Sequence, residues 1–428
     1  MARILVASVP LSGHVNPGIA LTKTLTDRGH EVCWYGSRYF KSNIEATGAL
    51  FFPITQATDF DEQNIQASFP GVKQGNLLRH STTYMKKVFF DQMPGQYHDL
   101  LKILEDFNAD ILITDEWFTG AIPLAEQKVL PWVVYSSSPL MLMDRNVPAP
   151  GPGLFPNSNI YGFFRNAIVN FMTRQLIFAP MRCYVNRIRK GLSLGRMKHF
   201  FLENNFYISS LYLKFNTPAF DFHWKKLPAS IHYTGPVLPG DKEHNNSEAP
   251  HFPDNNKPLI LITQGSVDTR DQTKLIIPAL RALSEQDVNV VVSTGGQSSD
   301  YLKQLFPSEN CRFYTYIPYA AVMPHVSIVI TNGGFGGVAT ALSFGVPVII
   351  AGDTEDKPVV ASRVQYNKCG INLKTGKPSA KQIAKAVTKI LTSPKYKANA
   401  ERIRADYAKH DALQESAALI EALIHKVN

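Results

Sequence analysis

Cysteine is scarce in this 428-residue chain, and the four present do not cluster. Cys33, Cys183, Cys311 and Cys369 lie far apart and form no C-x-x-C pair. That argues against a zinc site and against a disulfide framework, and it fits a reducing compartment. No apolar run comes near 18 residues, so no transmembrane helix is expected. The first apolar run, residues 4–9, is too short for the core of a signal peptide and has no cleavage site after it. The expected location is the cytoplasm. No period of about 20 to 50 residues recurs, which excludes a solenoid.

Charge is also limited, at 18% of residues against 44% hydrophobic, which are globular values. The net charge of +9 is local. Residues 165–226 hold 11 Lys and Arg against 2 Asp and Glu, and the 33 of each sign elsewhere cancel. A nucleic-acid protein would carry its basic face more widely, so no nucleic acid is expected as a partner.

The length suits two domains of roughly 200 residues each. Residues 4–9 predict a buried strand, with a loop over 10–16, a helix from Pro17 to Arg28 and a second strand over 31–35. This is a βαβ opening of the doubly wound kind. Residues 48–54 predict a third strand, 59–79 a mobile loop, and 82–107 a long helical stretch. Strands follow over 110–115 and 131–136, with a helix over 121–127 between them. Residues 140–156 are rich in Pro and Gly and predict a loop. Residues 160–177 carry apolar side chains at helical period, and 181–190 add Arg182, Arg187, Arg189 and Lys190. The expectation is a helix pair whose apolar stripe packs on the sheet and whose basic face is solvated. Contact with an anionic membrane surface is the less favoured alternative. No vesicle binding is then expected at about 0.15 M salt, where exposed charges are screened. Residues 206–210 and 232–233 predict the last strands of this half.

The proline-rich stretch 236–258 reads as a linker between a first domain of 1–235 and a second of 259–410. In the second, strands are expected over 259–263, 288–293 and 312–314, with helices over 271–283, 380–391 and 398–426. Its centre is residues 328–358, a strand, glycine loop, short helix and strand in succession. Gly333, Gly334, Gly336 and Gly337 crowd the first turn, and Gly345 closes the helix. Glycines at a strand-to-helix turn let backbone N–H groups approach an anion, and a helix N-terminus favours negative charge there. The plainer alternative is a tight turn and nothing more. In the first domain His14 sits just past the first strand, where open α/β sheets place ligands. An imidazole suits removal of a hydroxyl proton near neutral pH. Asp115, at the end of another strand, is a candidate to accept the hydrogen bond that would fix its tautomer. Capping of the next helix by Asp115 is the alternative.

Thr331-Asn332-Gly333-Gly334, Gly345-Val346-Pro347 and Glu355-Asp356-Lys357 together resemble the donor-binding signature of family 1 nucleotide-sugar glycosyltransferases. That signature runs T-H-G-G, then G-V-P, then an acidic residue followed by Gln. The chain departs from it in four places. Asn332 stands for a diphosphate-touching His, Thr340 for a ribose-binding Glu, Lys357 for a sugar-reading Gln, and Tyr319 for the Gln of a P-Q pair. The variant resembles a bacterial, macrolide-type branch. The resemblance implies an α/β protein of GT-B architecture, two Rossmann-like doubly wound domains facing a central cleft, with a last helix (411–428) crossing back to the first.

It also implies roles. The loop Ser12-Gly13-His14-Val15-Asn16-Pro17 resembles the family's G-H-x-x-P segment, with His14 as catalytic base, Asp115 as its orienting acid and Gly13 near the donor. Gly265 and Ser266 match a donor contact, and Tyr316 and Ile317 match the base-stacking aromatic and the backbone base contact. Asn332, Gly333, Gly334, Phe335, Gly336 and Gly337 would hold the diphosphate, and Glu355, Asp356 and Lys357 the sugar. No metal and no resident cofactor is implied, since the nucleotide sugar is a co-substrate. The expected activity is inverting transfer from a UDP- or dTDP-sugar to an apolar, hydroxylated small molecule, phenolic, polyketide or lipid-like. Phe118, Met141, Met143, Phe155 and Phe163 are expected to form the lipophilic acceptor wall. The rival readings are a nucleotide-sugar epimerase or hydrolase on the same fold, and a binding protein that lost turnover.

Overall fold

The computed structural model describes residues 1–72, 81–151, 153–238, 255–265 and 269–427. The chain divides into two compact units. The first is Met1–Thr217 with His223–Val237 and His410–Asn428, and the second is Pro218–Phe222 with Leu238–Lys409.

Seven parallel strands form the sheet of the first unit: β1 (Arg3–Ala7), β2 (Glu31–Gly36), β3 (Leu50–Pro53), β4 (Ile111–Asp115), β5 (Trp132–Ser136), β6 (Leu211–Lys214) and β7 (Ile231–Tyr233). Their order is β3-β2-β1-β4-β5-β6-β7. The second sheet has six parallel strands: β8 (Leu259–Thr263), β9 (Asn289–Ser293), β10 (Cys311–Tyr314), β11 (Val326–Thr331), β12 (Val348–Ile350) and β13 (Gly370–Asn372). Their order is β10-β9-β8-β11-β12-β13. The central strands read as near-continuous apolar runs because helices cover both faces of each sheet. In each sheet the strand order reverses once, between β1 and β4 and between β8 and β11. Such switch points open a crevice beyond the carboxyl ends of the strands.

Several elements depart from the sequence expectation. The first helix begins at Ser12 rather than Pro17, so Pro17 lies inside it. Proline has no N–H, and the Gly13 carbonyl loses its i+4 donor. Residues 206–210 are not a strand, since Asn204–Ile208 is helical. Of the expected mobile loop, residues 59–72 are packed rather than loose, and 73–79 lie outside the described residues. Phe60, Ile65, Phe69 and Val72 enter the core, and Phe60 meets Phe69 edge-on with ring centroids 4.9 Å apart. The expected closing helix is broken at 408–411 into Pro394–Tyr407 and Ala412–Val427.

A first domain running unbroken over 1–235 also needs correction, because Pro218–Phe222 belongs to the second unit. Asp221 there is fully buried and pairs with Arg363 at 3.0 Å, while the Arg363 guanidinium lies 3.8 Å from the centre of the Phe222 ring. The helix Ala412–Val427 packs on Ser12–Asp27 in the first unit, with Glu421 bonded to Arg28 and His30. Most of the expected linker, residues 239–254, lies outside the described residues.

The largest departure is the helix Ile160–Met172, which runs on through a π-helical turn, Thr173–Ile177. Its apolar stripe was expected to face the sheet. Instead Gly162, Asn166, Asn170 and Thr173 are buried and the stripe is exposed. The reason is the coil before it. Backbone carbonyls that leave water need donors, and the polar side of this helix supplies them. Asn170 Nδ2 donates to the Asp144 and Val147 carbonyls at 2.8 and 3.1 Å. Asn166 donates to Arg145 at 3.3 Å, Arg165 to Phe155 at 2.7 Å, and Arg174 to Met143 at 3.1 Å.

Candidate active site

At the β1/β4 switch point His14 lies in the first turn of its helix and Asp115 is the last residue of β4. His14 Nδ1 is 2.9 Å from Asp115 Oδ1. Asp115 is buried, and its carboxylate also accepts from Val9 N at 2.6 Å and Trp117 N at 2.9 Å. A carboxylate only accepts, so His14 donates from Nδ1, and in the neutral ring the lone pair then belongs to Nε2. The turn to Trp117 means that Asp115 caps the chain locally and orients the ring at once. Its neighbours have other work. Glu116 accepts from Tyr212 at 2.8 Å and from Ser138 at 2.5 Å, and Thr114 accepts from Trp132 Nε1 at 3.0 Å. Tyr135 fixes the same turn by donating to the His14 carbonyl at 2.8 Å. Burial pushes its phenol well above the ordinary value, so it stays a donor. A side chain at Gly13 would meet no neighbouring atom.

The β8/β11 switch point is built differently. Gly333 has φ +93°, and a Cβ there would overlap Ile350 Cγ2, so both conformation and space require glycine. A Cβ at Gly334, Gly336 or Gly337 would meet nothing, which leaves the outer side of the loop open. Gly334 precedes the helix Phe335–Ser343 and has no side chain with which to cap it. Asn332 Nδ2 donates to the Gln264 carbonyl, and its Oδ1 accepts from Gly334 N at 3.4 Å. Asn332 therefore ties the β8 loop to the β11 loop. Phe335 is expected to offer the diphosphate its backbone rather than its side chain. It is buried in the core, 6.3 Å from Phe220 ring to ring, and only its backbone is left for a ligand. Thr340 is buried and donates to the Gly336 carbonyl at 2.9 Å.

Other loops arrive at the same end of the sheet. Gly265 has φ +74° and faces the Asn332 amide, while Ser266 lies outside the described residues. A Cβ on Gly295 would overlap the Gly265 carbonyl, and one on Gly296 would lie 2.6 Å from the Tyr316 hydroxyl. Tyr316 is exposed, and Ile317 is buried so that only its main chain can reach a ligand. Gly352 is pressed against the Asn332 carbonyl and the Lys357 side chain. Lys357 Nζ bonds Glu355, and Thr354 at 3.3 Å. Glu355 is held at φ +53°, and Asp356 precedes the helix Lys357–Asn367. Among the described residues no group of three or more His, Cys, Asp or Glu is gathered closely enough to hold a metal ion.

Residues 278–423 match the family described as Erythromycin biosynthesis protein CIII-like, C-terminal domain. Over 425 residues the chain is 35% identical to 4'-demethylrebeccamycin synthase of Lentzea aerocolonigenes, covering 99% of this chain and all of the relative. The chain belongs to the family 1 nucleotide-sugar glycosyltransferases. UDP-glycosyltransferase 2 of Phaeomoniella chlamydospora is 29% identical, covering 98% of this chain and 95% of its own. The crystal structure of the glycotransferase of kitacinnamycin matches with a TM-score of 0.75 at 20% identity, over 99% of both chains, which places the fold as GT-B.

The five residues expected to form an acceptor wall differ in placement. Phe118 is a core residue, edge-on to Tyr35 with ring centroids 5.9 Å apart, and Met143 is buried with its N–H bonded to Glu203 at 2.8 Å. Met141, Phe155 and Phe163 are partly exposed, and Arg145 lies 5.2 Å from the Phe163 ring centre. Residue type marks an apolar position in a coil, but only packing decides which way it points. Sequence reasoning also missed Glu62, which accepts from the Ser12 N–H at 2.9 Å and from its hydroxyl at the start of the His14 helix. Glu62 carried no sequence signal, since it lies in the stretch expected to be loose.

Proposed function

We propose that this glycosyltransferase works by inversion, with His14 as general base. The carrying observation is the His14–Asp115 pair, 2.9 Å apart, with Asp115 locked by two backbone donors. His14 Nε2 takes the proton of an acceptor hydroxyl. The hydroxyl oxygen then bonds the anomeric carbon as the bond to the nucleoside diphosphate breaks. One in-line displacement inverts the anomeric centre. The diphosphate leaves with the electron pair, and its charge falls on backbone N–H groups of the loop 332–337 and the helix it opens. That role is electrostatic and needs no covalent enzyme intermediate. The turn Glu355, Asp356 and Lys357 reads the sugar hydroxyls, and Tyr316 stacks on the base. The acceptor is an apolar, hydroxylated natural product, a reading supported by the relative's name and by partly exposed Met141, Phe155 and Phe163.

Incubation with UDP-glucose and with dTDP-rhamnose, each alone and with a panel of phenolic and polyketide alcohols, tests this reading. The expected product is a glycoside with anomeric configuration opposite to that of the donor, read by NMR coupling. A retained configuration would overturn inversion. Hydrolysis or epimerisation of the sugar, with no glycoside, would overturn the assignment of an acceptor.

A further inference from the structure

The helical run 160–177 presents a face that nothing in the first unit covers. Eight large apolar side chains between Ile160 and Ile177 are 44–82% exposed. Ile160, Phe164, Ile168, Met172 and Leu176 form an unbroken i, i+4 row. Eighteen helical residues extend about 27 Å. A soluble protein rarely leaves such a contiguous apolar strip to water without a use for it.

Along the chain, the charge in and around this run has one sign. No Asp or Glu occurs between Asp144 and Glu203, while that stretch holds nine Lys and Arg. Some of the nine are consumed internally. Arg174 pairs with Glu203 at 2.8 Å, and buried Arg189 pairs with Glu126 at 2.6 Å. Arg187, Lys190, Arg196 and Lys198 remain exposed on the following segment. The helix Ala179–Gly191 packs against the turn Thr173–Ile177, and Arg182 reaches back to Gln175 at 2.6 Å. An apolar helical face followed by a segment whose exposed charges are cations is the pattern of a helix lying in a bilayer interface.

We infer that this face docks on an anionic lipid surface, with the 160–177 strip at the boundary between headgroups and acyl chains and the basic residues on the phosphates. The charge disfavours a second copy as occupant. A two-fold interface sets the same patch against itself, and here that opposes cation to cation. Among the described residues no helix is long and apolar enough to cross a membrane, so the contact is peripheral. The inference reverses the expectation from sequence, whose premise was that packing used up the stripe. It does not rest on the role given to His14.

The test is flotation of the full chain with vesicles at about 0.15 M salt, either of phosphatidylcholine alone or with about 30% phosphatidylglycerol. Binding to the anionic vesicles is expected, at least about tenfold stronger than to the neutral ones. Ile168→Glu with Phe171→Glu should abolish it. Arg187→Glu with Lys190→Glu should remove the anionic preference and leave weak binding to both. All four positions are on the surface, so thermal unfolding should stay near that of the parent, which separates lost docking from lost folding. Absence of binding to both vesicles by a folded parent overturns the inference. A parent that sediments as a dimer and ignores vesicles, while Ile168→Glu with Phe171→Glu is monomeric, overturns it in favour of contact between copies.

Discussion

The β1/β4 end of the first unit and the β8/β11 end of the second share a topology and differ in what they offer. Each is the place where a parallel sheet reverses its strand order. The first presents side chains, a His ring and a carboxylate that accepts three hydrogen bonds. The second presents main chain, with a glycine loop whose outer side is open and whose one polar side chain, Asn332, is spent on holding two loops together. Moving a proton requires a titratable group in fixed orientation. Binding a diphosphate requires N–H groups that can be approached closely. On the proposed reading, the same kind of crevice serves either need according to whether a residue with a side chain or a glycine follows the strand.

That contrast predicts which changes hurt catalysis and which hurt donor binding. The largest effect is expected from His14→Ala, a fall in turnover of about 100-fold to 10,000-fold. Calorimetry with UDP should show affinity within about twofold of the parent, and a parallel loss of UDP binding would break the comparison. Asp115→Asn should follow, at roughly 100-fold in turnover with little change in KM, because an amide can no longer hold the Nδ1–H tautomer alone. Unchanged turnover would reduce Asp115 to a cap for Trp117.

Gly334→Val should cost at least about tenfold in UDP affinity, since the side chain fills the open face where phosphate would approach. Its thermal midpoint should hold, whereas Gly333→Ala should lower the midpoint because of φ +93° and Ile350. Asn332→Ala is expected to be milder, about 1 kcal/mol in UDP binding. Equal losses from Gly334→Val and Asn332→Ala would move the anion site elsewhere. The smallest effect concerns the helix that closes only the first unit. Hydrogen bonds from Arg28, then His30, hold Glu421 down to about 2. Its contribution to stability should be complete above the ordinary carboxylate value of about 4.3 and fade as pH falls toward 2. Acid titrations of the parent and Glu421→Gln should converge at the low end of that window and differ above it.

Much of this fold is legible in the sequence. Buried strands announce themselves as short β-branched runs, so β1, β4, β5, β8 and β11 stand close to where the pattern puts them. Gly333 and Gly345 mark left-handed backbone that only glycine adopts cheaply. His14 and Asp115 each end up beside a strand terminus because such termini are where the strand pattern stops. Weak signals failed where local pattern and context disagree. Residues 59–72 are polar in composition yet deliver Phe60, Ile65 and Phe69 to the core and Glu62 to the His14 helix.

Two parallel α/β halves, a glycine loop suited to an anion and a histidine suited to a base follow from local spacing and backbone freedom. Direction came from long-range packing. Period 3.6 in residues 160–177 establishes that the helix has an apolar face and a polar one, but not which of them turns inward. Asn166, Asn170 and Arg174 turned inward because the proline-rich coil from Met143 to Phe155 had carbonyls to satisfy. An unmet buried carbonyl costs about 1–3 kcal/mol, and several must be met at once. Phe118 and Met143 went into the core for a related reason, since a coil buries whatever apolar group its backbone bonds happen to aim at the sheet. Those choices are made by partners far away in sequence, and no window along the chain contains them.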